Sequence, residues 1–153
     1  MKPTLKILMI DDSQTVRDSY GIVLCRLREY YEVESDIVGT PDQALSRLTD
    51  AENDPYDIAC LDIAIKPSYD KSIILGEYLA VRIKEMMPFI KMMIITNHDK
   101  KEHLAPIYSR VQPEGLLLKH REGFDSICRA IREIREGETC YSNGLEKIID
   151  EFE

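Results

Sequence analysis

Apolar and polar residues alternate along this chain in blocks that fit short strands and amphipathic helices. Four mainly apolar runs of four to six residues stand between turn-forming residues, at positions 5–10, 57–62, 91–95 and 115–118. Such runs are typical of strands that are buried on both faces of a sheet. A fifth run, residues 32–38, places Val33 and Ile37 among acids, which indicates a strand at an exposed edge.

Helical spacing of apolar residues fills the intervals between these runs. Five helices are predicted, starting near residues 14, 41, 75, 99 and 124. We expect Ser13 and Thr40 to cap the first two, with Gln43 completing a capping box, and Gly137 to close the last. Pro106 predicts a short, kinked or frayed fourth helix. Five alternating strands and helices place the chain in the α/β class, with a parallel sheet covered by helices on both faces.

The composition is that of one globular domain. A chain of 153 residues, 44% hydrophobic and 31% charged, is long enough for one sizeable core and too short for two. No apolar run approaches the roughly 18 residues of a membrane span, and four scattered cysteines without a CxxC pair indicate reduced thiols, so we expect a cytoplasmic protein. The net charge of −8 argues against direct binding to nucleic-acid phosphates.

Five polar residues follow or end the predicted buried strands: Asp11, Asp12, Asp62, Thr96 and Lys119. The carboxyl ends of parallel strands share one edge of a sheet, which is where ligands bind in open α/β folds. Three carboxylates close together repel one another unless a cation is present. An oxygen-only acidic cluster suits Mg²⁺, and a lysine and a threonine beside it can bind a phosphoryl group. Asp62 can then act as the nucleophile that forms an aspartyl-phosphate.

The ordered set Ile10-Asp11-Asp12, Leu61-Asp62, Ile95-Thr96 and Leu118-Lys119 resembles the site of a response-regulator receiver domain, over residues 5–137. The resemblance implies a CheY-like, flavodoxin-like fold: a doubly wound five-stranded parallel sheet in the order 2-1-3-4-5. It implies that Asp62 binds Mg²⁺ and accepts a phosphoryl group from a sensor histidine kinase. It also implies that the chain catalyses only its own phosphorylation and dephosphorylation.

The same resemblance assigns roles to the residues around the phosphoacceptor. Asp12 and the carbonyl of Ala64 would bind Mg²⁺ directly, and Asp11 would act mainly through water. Thr96 and Lys119 would bind the phosphoryl group and couple it to the surface around the fourth helix.

Residues 136–142 resemble the segment that follows the last receiver helix in regulators with a LuxR-type helix-turn-helix output domain. We therefore expect a receiver domain over residues 1–137 and a C-terminal linker or helical tail over residues 138–153. The implied output is transcription, with DNA reached only through an output domain that is not in this chain, and with a homodimer as a further partner. The tail carries an amphipathic stripe that predicts a linker helix: Leu145, Ile148, Ile149 and Phe152.

Two other functions use parts of this pattern. A haloacid-dehalogenase-type phosphohydrolase also uses a strand-end aspartate and Mg²⁺, but it needs a second acid two residues on, where this chain has Ala64. A pseudo-receiver would keep the fold as an interaction module that works without phosphorylation. Two features favour it: Leu116 replaces the family's aromatic residue three before the lysine, and the loop after Asp62 is long.

Overall fold

The computed structural model describes residues 1–64, 76–97, 101–120, 122–142 and 144–150. Strands and helices alternate along these ranges, and a short strand and a short helix follow at the end. The strands are β1 (Thr4–Ile10), β2 (Glu32–Val38), β3 (Ile58–Asp62), β4 (Lys91–Thr96), β5 (Gly115–Leu118) and β6 (Cys140–Tyr141). The helices are α1 (Gln14–Leu27), α2 (Pro41–Asp50), α3 (Gly76–Met86), α4 (Lys101–Val111), α5 (Phe124–Arg135) and α6 (Leu145–Asp150).

The six strands are parallel and form one sheet in the order β2-β1-β3-β4-β5-β6. The first five strands confirm the predicted order 2-1-3-4-5, and β2 lies at the edge as predicted. The chain order reverses on either side of β1, which makes the carboxyl ends of β1 and β3 the switch point where such sheets bind ligands.

Alternate residues of the central strands supply an apolar layer on each face of the sheet. Leu8 and Ile10 of β1 pack in the layer formed with α2, α3 and α4. Ile7 and Met9 pack in the layer formed with α1 and α5. Every residue of β3 is buried, which explains why its sequence shows a continuous apolar run rather than an alternation. This two-sided packing fixes the end of β3 in the middle of one sheet edge.

Side-chain caps start the first two helices. The Ser13 hydroxyl accepts a hydrogen bond from the Val16 amide at 3.4 Å, as predicted for the cap of α1. The Thr40 hydroxyl accepts from the Gln43 amide at 3.1 Å at the start of α2. The Gln43 side chain accepts in return from the Gly39 amide at 2.8 Å, one residue before the cap residue itself. The predicted capping box is therefore present in a slightly wider form.

A glycine ends α5. Gly137 has a φ of 98°, in the left-handed region that favours glycine. Its amide donates to the Ile134 carbonyl at 3.0 Å, and the Glu138 amide donates to the Glu133 carbonyl at 2.9 Å. These two bonds form a Schellman motif, which satisfies carbonyls at the helix end and turns the chain towards β6.

The helix α4 continues through Pro106 and is 11 residues long. A proline inside a helix removes one backbone hydrogen bond. Leu104, Ile107 and Val111 are buried on both sides of that position, and their packing on the sheet holds the helix together across it. The helix is therefore not short, because tertiary packing outweighs the local cost of the proline, while a kink or fraying at Pro106 stays a prediction.

The sixth strand corrects the expected five-stranded sheet. The Cys140 amide donates to the Glu114 carbonyl at 2.9 Å, and the Ser142 amide donates to the Leu116 carbonyl at 3.0 Å. A strand of two residues has no hydrophobic period, so the sequence pattern did not reveal it. The helix α6 follows, and its residue Leu145 is buried beside α4.

Several predictions fall on residues outside the described ranges. These are residues 65–75 of the long loop, with the expected helix start at Leu75, and also His98, Phe152 and the side chains of residues 148 and 149. Among the described helices, none has the length and apolar character that crossing a membrane requires.

Candidate functional site

Three aspartates meet at the carboxyl ends of β1 and β3. Asp11 and Asp12 follow β1, and Asp62 is the last residue of β3. One carboxylate oxygen from each lies within 4.8 Å of the other two. Asp11 is fully buried, Asp62 is 6% exposed, and Asp12 is partly exposed. The structure thus brings together the three acids that the sequence pattern placed at this edge.

Lys119 reaches into this acidic cluster from the end of β5. Its ammonium nitrogen lies 2.9 Å from Oδ2 of Asp62 and 3.3 Å from Oδ2 of Asp11. The backbone amide of the same residue donates to the Thr96 carbonyl at 2.8 Å, which fixes the end of β5 to the end of β4. One lysine therefore bridges two of the three acids, and the cluster keeps an excess of negative charge.

Asp62 is held at both carboxylate oxygens. Oδ2 accepts from Lys119, and Oδ1 accepts from the backbone amide of Ala64 at 3.0 Å. Thr96 is fully buried at the end of β4, the strand next to β3. Thr96 lies near Asp62 because β4 pairs with β3, and Ala64 lies near it because its amide bonds to the carboxylate. The roles expected for the Thr96 hydroxyl and the Ala64 carbonyl stay predictions.

Helix α1 adds two residues to the site that the sequence pattern did not identify. The hydroxyl of Tyr20 lies 3.4 Å from Oδ2 of Asp11, and the Arg17 guanidinium donates to the Asp11 carbonyl at 2.8 Å. The amide of Ser13 also donates to Oδ1 of Asp11, at 2.9 Å. Tyr20 lies among the apolar residues that α1 buries. Its hydroxyl was the one indication in the sequence that this buried face contacts a polar group.

Burial and neighbouring charges change the proton affinities in the cluster. Burial raises the pKa of Asp11 above its ordinary value and outweighs the amide of Ser13, while the charge of Asp62 raises it further against the pull of Lys119. Burial alone would lower the pKa of Lys119, but the hydrogen bond and attraction from Asp62, and then those from Asp11, raise it. Burial, followed by the charge of Asp11, raises the pKa of Tyr20. The site therefore keeps its lysine charged and resists the full ionisation of Asp11.

The donor set fits Mg²⁺. Hard divalent cations prefer carboxylate oxygens, and Mg²⁺ usually takes one or two of them together with waters and a phosphate. Asp12 is the most exposed of the three carboxylates, and Asp62, at 6% exposed, is more accessible than the fully buried Asp11. Asp11 is already engaged by Lys119, Ser13 and Tyr20. The residues that would hold the ion directly are thus Asp12 and Asp62.

No protein-family model matches this sequence, and no curated protein matches it. Solved structures do match. A CheY-like response-regulator receiver domain from Methanospirillum hungatei has a TM-score of 0.68 and 22% identity, over 87% of this chain and 94% of that one. The isolated REC domain of RcsB from Salmonella enterica serovar Typhimurium, in the presence of the phosphomimetic BeF3−, has a TM-score of 0.78 and 14% identity, over 95% and 98%. A LuxR-family two-component response regulator from an Aurantimonas species has a TM-score of 0.75 and 20% identity, over 97% and 96%.

These matches extend over most of both chains in each pair. At such low identities the likeness establishes the fold, and it confirms the resemblance found in the sequence. The chain has the fold of a CheY-like response-regulator receiver domain.

Proposed function

We propose that this chain is a phosphoacceptor receiver in two-component signalling, in which Asp62 takes a phosphoryl group from the phosphohistidine of a sensor histidine kinase. The observation that carries the proposal is the bridge from Lys119 to Asp62 and Asp11, beside Asp12, at the carboxyl edge of the sheet. A buried carboxylate with a lysine on one oxygen and an amide on the other is aimed and electrostatically supported for transfer of an anionic group.

In the transfer step an oxygen of Asp62 attacks the phosphorus atom, and a P–O bond forms as the P–N bond to the histidine breaks. The histidine nitrogen leaves with the electron pair of that bond. The transition state is loose, so it needs positioning and charge neutralisation more than covalent help. Lys119 supplies a positive charge beside Oδ2 of Asp62, and the amide of Ala64 keeps the carboxylate in one orientation.

Asp12 and Asp62 would hold Mg²⁺, with Asp11 acting mainly through water and the carbonyl of Ala64 as a further ligand. When bound, the ion neutralises negative charge on the phosphoryl oxygens and orients the group beside the carboxylate. Asp11 would then balance the ammonium group of Lys119. The chain would catalyse its own phosphorylation and dephosphorylation and no other reaction.

The output that we propose is control of transcription through a DNA-binding domain outside this chain, with the sensor kinase as the upstream partner and a homodimer as the active form. Its support is the LuxR-family regulator among the structural matches and the resemblance of residues 136–142 to the segment before such domains. All four cysteines lie in the described part of the chain and carry free thiols, which fits the reducing cytoplasm.

Treatment with acetyl phosphate and Mg²⁺ tests the proposal. We expect one added phosphoryl group in the intact mass, which hydroxylamine removes because the product is an acyl phosphate. Asp62→Asn should abolish it. Asp57→Asn is the matched control, because Asp57 precedes the same strand at its opposite end, where it accepts a bond from the Lys6 amide at 2.8 Å.

Labelling that survives Asp62→Asn would contradict the assignment of the phosphoacceptor. A folded wild-type chain that takes no phosphoryl group, with Mg²⁺ or without it, would favour the pseudo-receiver. The observation that favours the pseudo-receiver is that Leu116, which stands where the family usually has an aromatic residue, is buried.

A further inference from the structure

Ser142 is a buried polar residue that the site described above leaves without a role. It follows β6 and is 3% exposed. Its hydroxyl accepts a hydrogen bond from the Leu118 amide at 2.8 Å and donates one to the Glu122 carboxylate at 2.5 Å. Leu118 immediately precedes Lys119, so this hydroxyl lies one residue away from the lysine of the site.

The Ser142 hydroxyl completes the hydrogen bonding of β5. Successive amides of a strand point to opposite sides. The Lys119 amide points towards β4 and donates to the Thr96 carbonyl, while the Leu118 amide points towards β6, where the Ser142 hydroxyl receives it. The end of β5 is therefore held on both sides, and loss of the hydroxyl would leave it held on one side only.

Glu122 fixes the direction of the hydroxyl. A serine hydroxyl has one proton, and a bond to the Glu122 carboxylate commits that proton and leaves the lone pairs for the Leu118 amide. Leu118 and Glu122 stand on either side of Lys119 in the sequence. The three residues Leu118, Ser142 and Glu122, which we call the Ser142 clasp, thus close the turn that carries Lys119.

The clasp is also tied to the C-terminal helix. The amide of Leu145 donates to the Ser142 carbonyl at 3.0 Å. The Leu145 side chain is 2% exposed and packs in the same apolar layer as Leu104 and Ile107 of α4. A displacement of α6 would therefore move Ser142, and with it the turn that holds Lys119.

We propose that Ser142 is a positioning residue for Lys119, and that the C-terminal residues 140–142 and 145 thereby make phosphoryl chemistry at Asp62 depend on the state of the tail. The inference rests on the proposed function, because it assigns a regulation to that site. The acids that would bind Mg²⁺ are held apart from the clasp, since Asp62 ends β3 and Asp12 follows β1. Lys119 lies 2.9 Å from Asp62, so its displacement would remove a positive charge from beside a Mg²⁺ ligand and would not weaken metal binding. By thermodynamic linkage, a phosphoryl group that binds Lys119 also changes the affinity of the tail for β5.

Ser142→Thr and Ser142→Val test the clasp as a pair, because the two side chains have nearly the same shape and differ by the hydroxyl. We expect the threonine variant to label with acetyl phosphate close to the wild-type rate, and the valine variant to be slower by up to about a hundredfold. Neither variant should bind Mg²⁺ more weakly than the wild type. A defect that is merely structural would lower labelling and Mg²⁺ affinity together, and that result would overturn the proposal.

Two further readouts do not depend on phosphorylation. The Leu118 amide should exchange with solvent faster in the valine variant than in the threonine variant, and the NMR signals of the Lys119 side chain should shift only in the valine variant. If the wild-type chain takes no phosphoryl group, the proposed function fails while these measurements still decide the clasp. Equal Leu118 exchange in the two variants, or an unmoved Lys119 signal, would refute it.

Ser126→Ala is the control for the removal of a nearby hydroxyl. Ser126 lines a cavity of about 190 Å³ together with Glu122 and Ser142. Its loss should leave the labelling rate unchanged. If both β-branched variants fail to fold, Ser142→Ala compared with Ser126→Ala makes the same test with smaller side chains, and equal labelling rates would then overturn the proposal.

Discussion

Asp11 lies where its charge is disfavoured. Its pKa is raised by burial and then by the charge of Asp62, so its ionised form lowers the stability of the fold at neutral pH. Asp11→Asn keeps an acceptor for Ser13 and removes the charge. We expect the metal-free variant to be more stable than the wild type by about 1 kcal/mol, or roughly 2–4 °C in Tm.

The pH dependence of this difference has a definite sign. A carboxyl whose pKa is higher in the folded state binds its proton more tightly there, so the destabilisation that it causes is relieved as the pH falls. The gap in Tm between Asp11→Asn and the wild type should therefore narrow from neutral pH towards acid.

In contrast, Asp12→Ala should abolish Mg²⁺ binding while it also relieves repulsion between the carboxylates. Thermal melts and a Mg²⁺ titration check both statements, and full Mg²⁺ affinity in Asp12→Ala would contradict the second.

The sequence could place some residues of the site and not others. Asp11, Asp62 and Lys119 were predictable as neighbours because each stands at the end of a buried parallel strand, and strand ends share one edge whatever the details of packing. Tyr20 and Ser142 could not be predicted, because the contact of each depends on tertiary packing, which the pattern of apolar residues does not show. Their bonds also depend on how α1 packs on the sheet and on the pairing of β6 with β5.

The helix α3 packs very closely on the backbone that follows β3. A Cβ atom at Gly76 would lie 2.1 Å from the Ile63 carbonyl oxygen, so that backbone has to move before any side chain fits. Ile63 immediately follows Asp62. We expect Gly76→Ala to destabilise the fold by about 1–3 kcal/mol and to slow labelling of Asp62, as measured by chemical denaturation and intact mass.

Gly21→Ala is the control for this change. Gly21 lies inside α1, and a Cβ atom there meets no heavy atom within 4 Å of it. Alanine should therefore stabilise that helix by roughly 0.5–1 kcal/mol through its better propensity. A Gly76→Ala variant with wild-type stability would show that the backbone after β3 moves at little cost, and it would contradict the tight packing described above.

The long elements followed from the sequence, and the exceptions have physical causes. Strands of four or more buried residues and helices with a clear apolar stripe gave the predicted order of elements. The strand β6 was missed because two residues carry no period. The helix α4 was expected to be short because a proline costs one hydrogen bond, whereas Ile107 and Val111 continue its buried face beyond that point.

Two contacts hold the C-terminal end of α4 to α3. Lys84 of α3 donates to the Val111 carbonyl at 3.0 Å, and Arg110 forms an ion pair with Glu77 of α3 at 3.6 Å. The N-terminal part, residues 101–105, precedes the missing hydrogen bond at Pro106 and lies nearer to the end of β4 in the sequence. A helix fixed at one end and weakened in the middle is suited to have two arrangements at its other end.

We therefore expect phosphorylation to reorder the segment 97–110, and to do so most in residues 101–105. Hydrogen exchange with and without beryllofluoride should change more there than in residues 107–111, because the pairs with α3 hold the latter. The same treatment should shift the chain towards a two-fold dimer, measured by light scattering, since a few kcal/mol suffices to move a two-state population. Asp62→Asn should show neither change. Exchange that is unaltered across α4, together with an unaltered mass, would mean that the signal leaves Asp62 by a route other than this helix, and the Ser142 clasp on β5 is then the connection to examine.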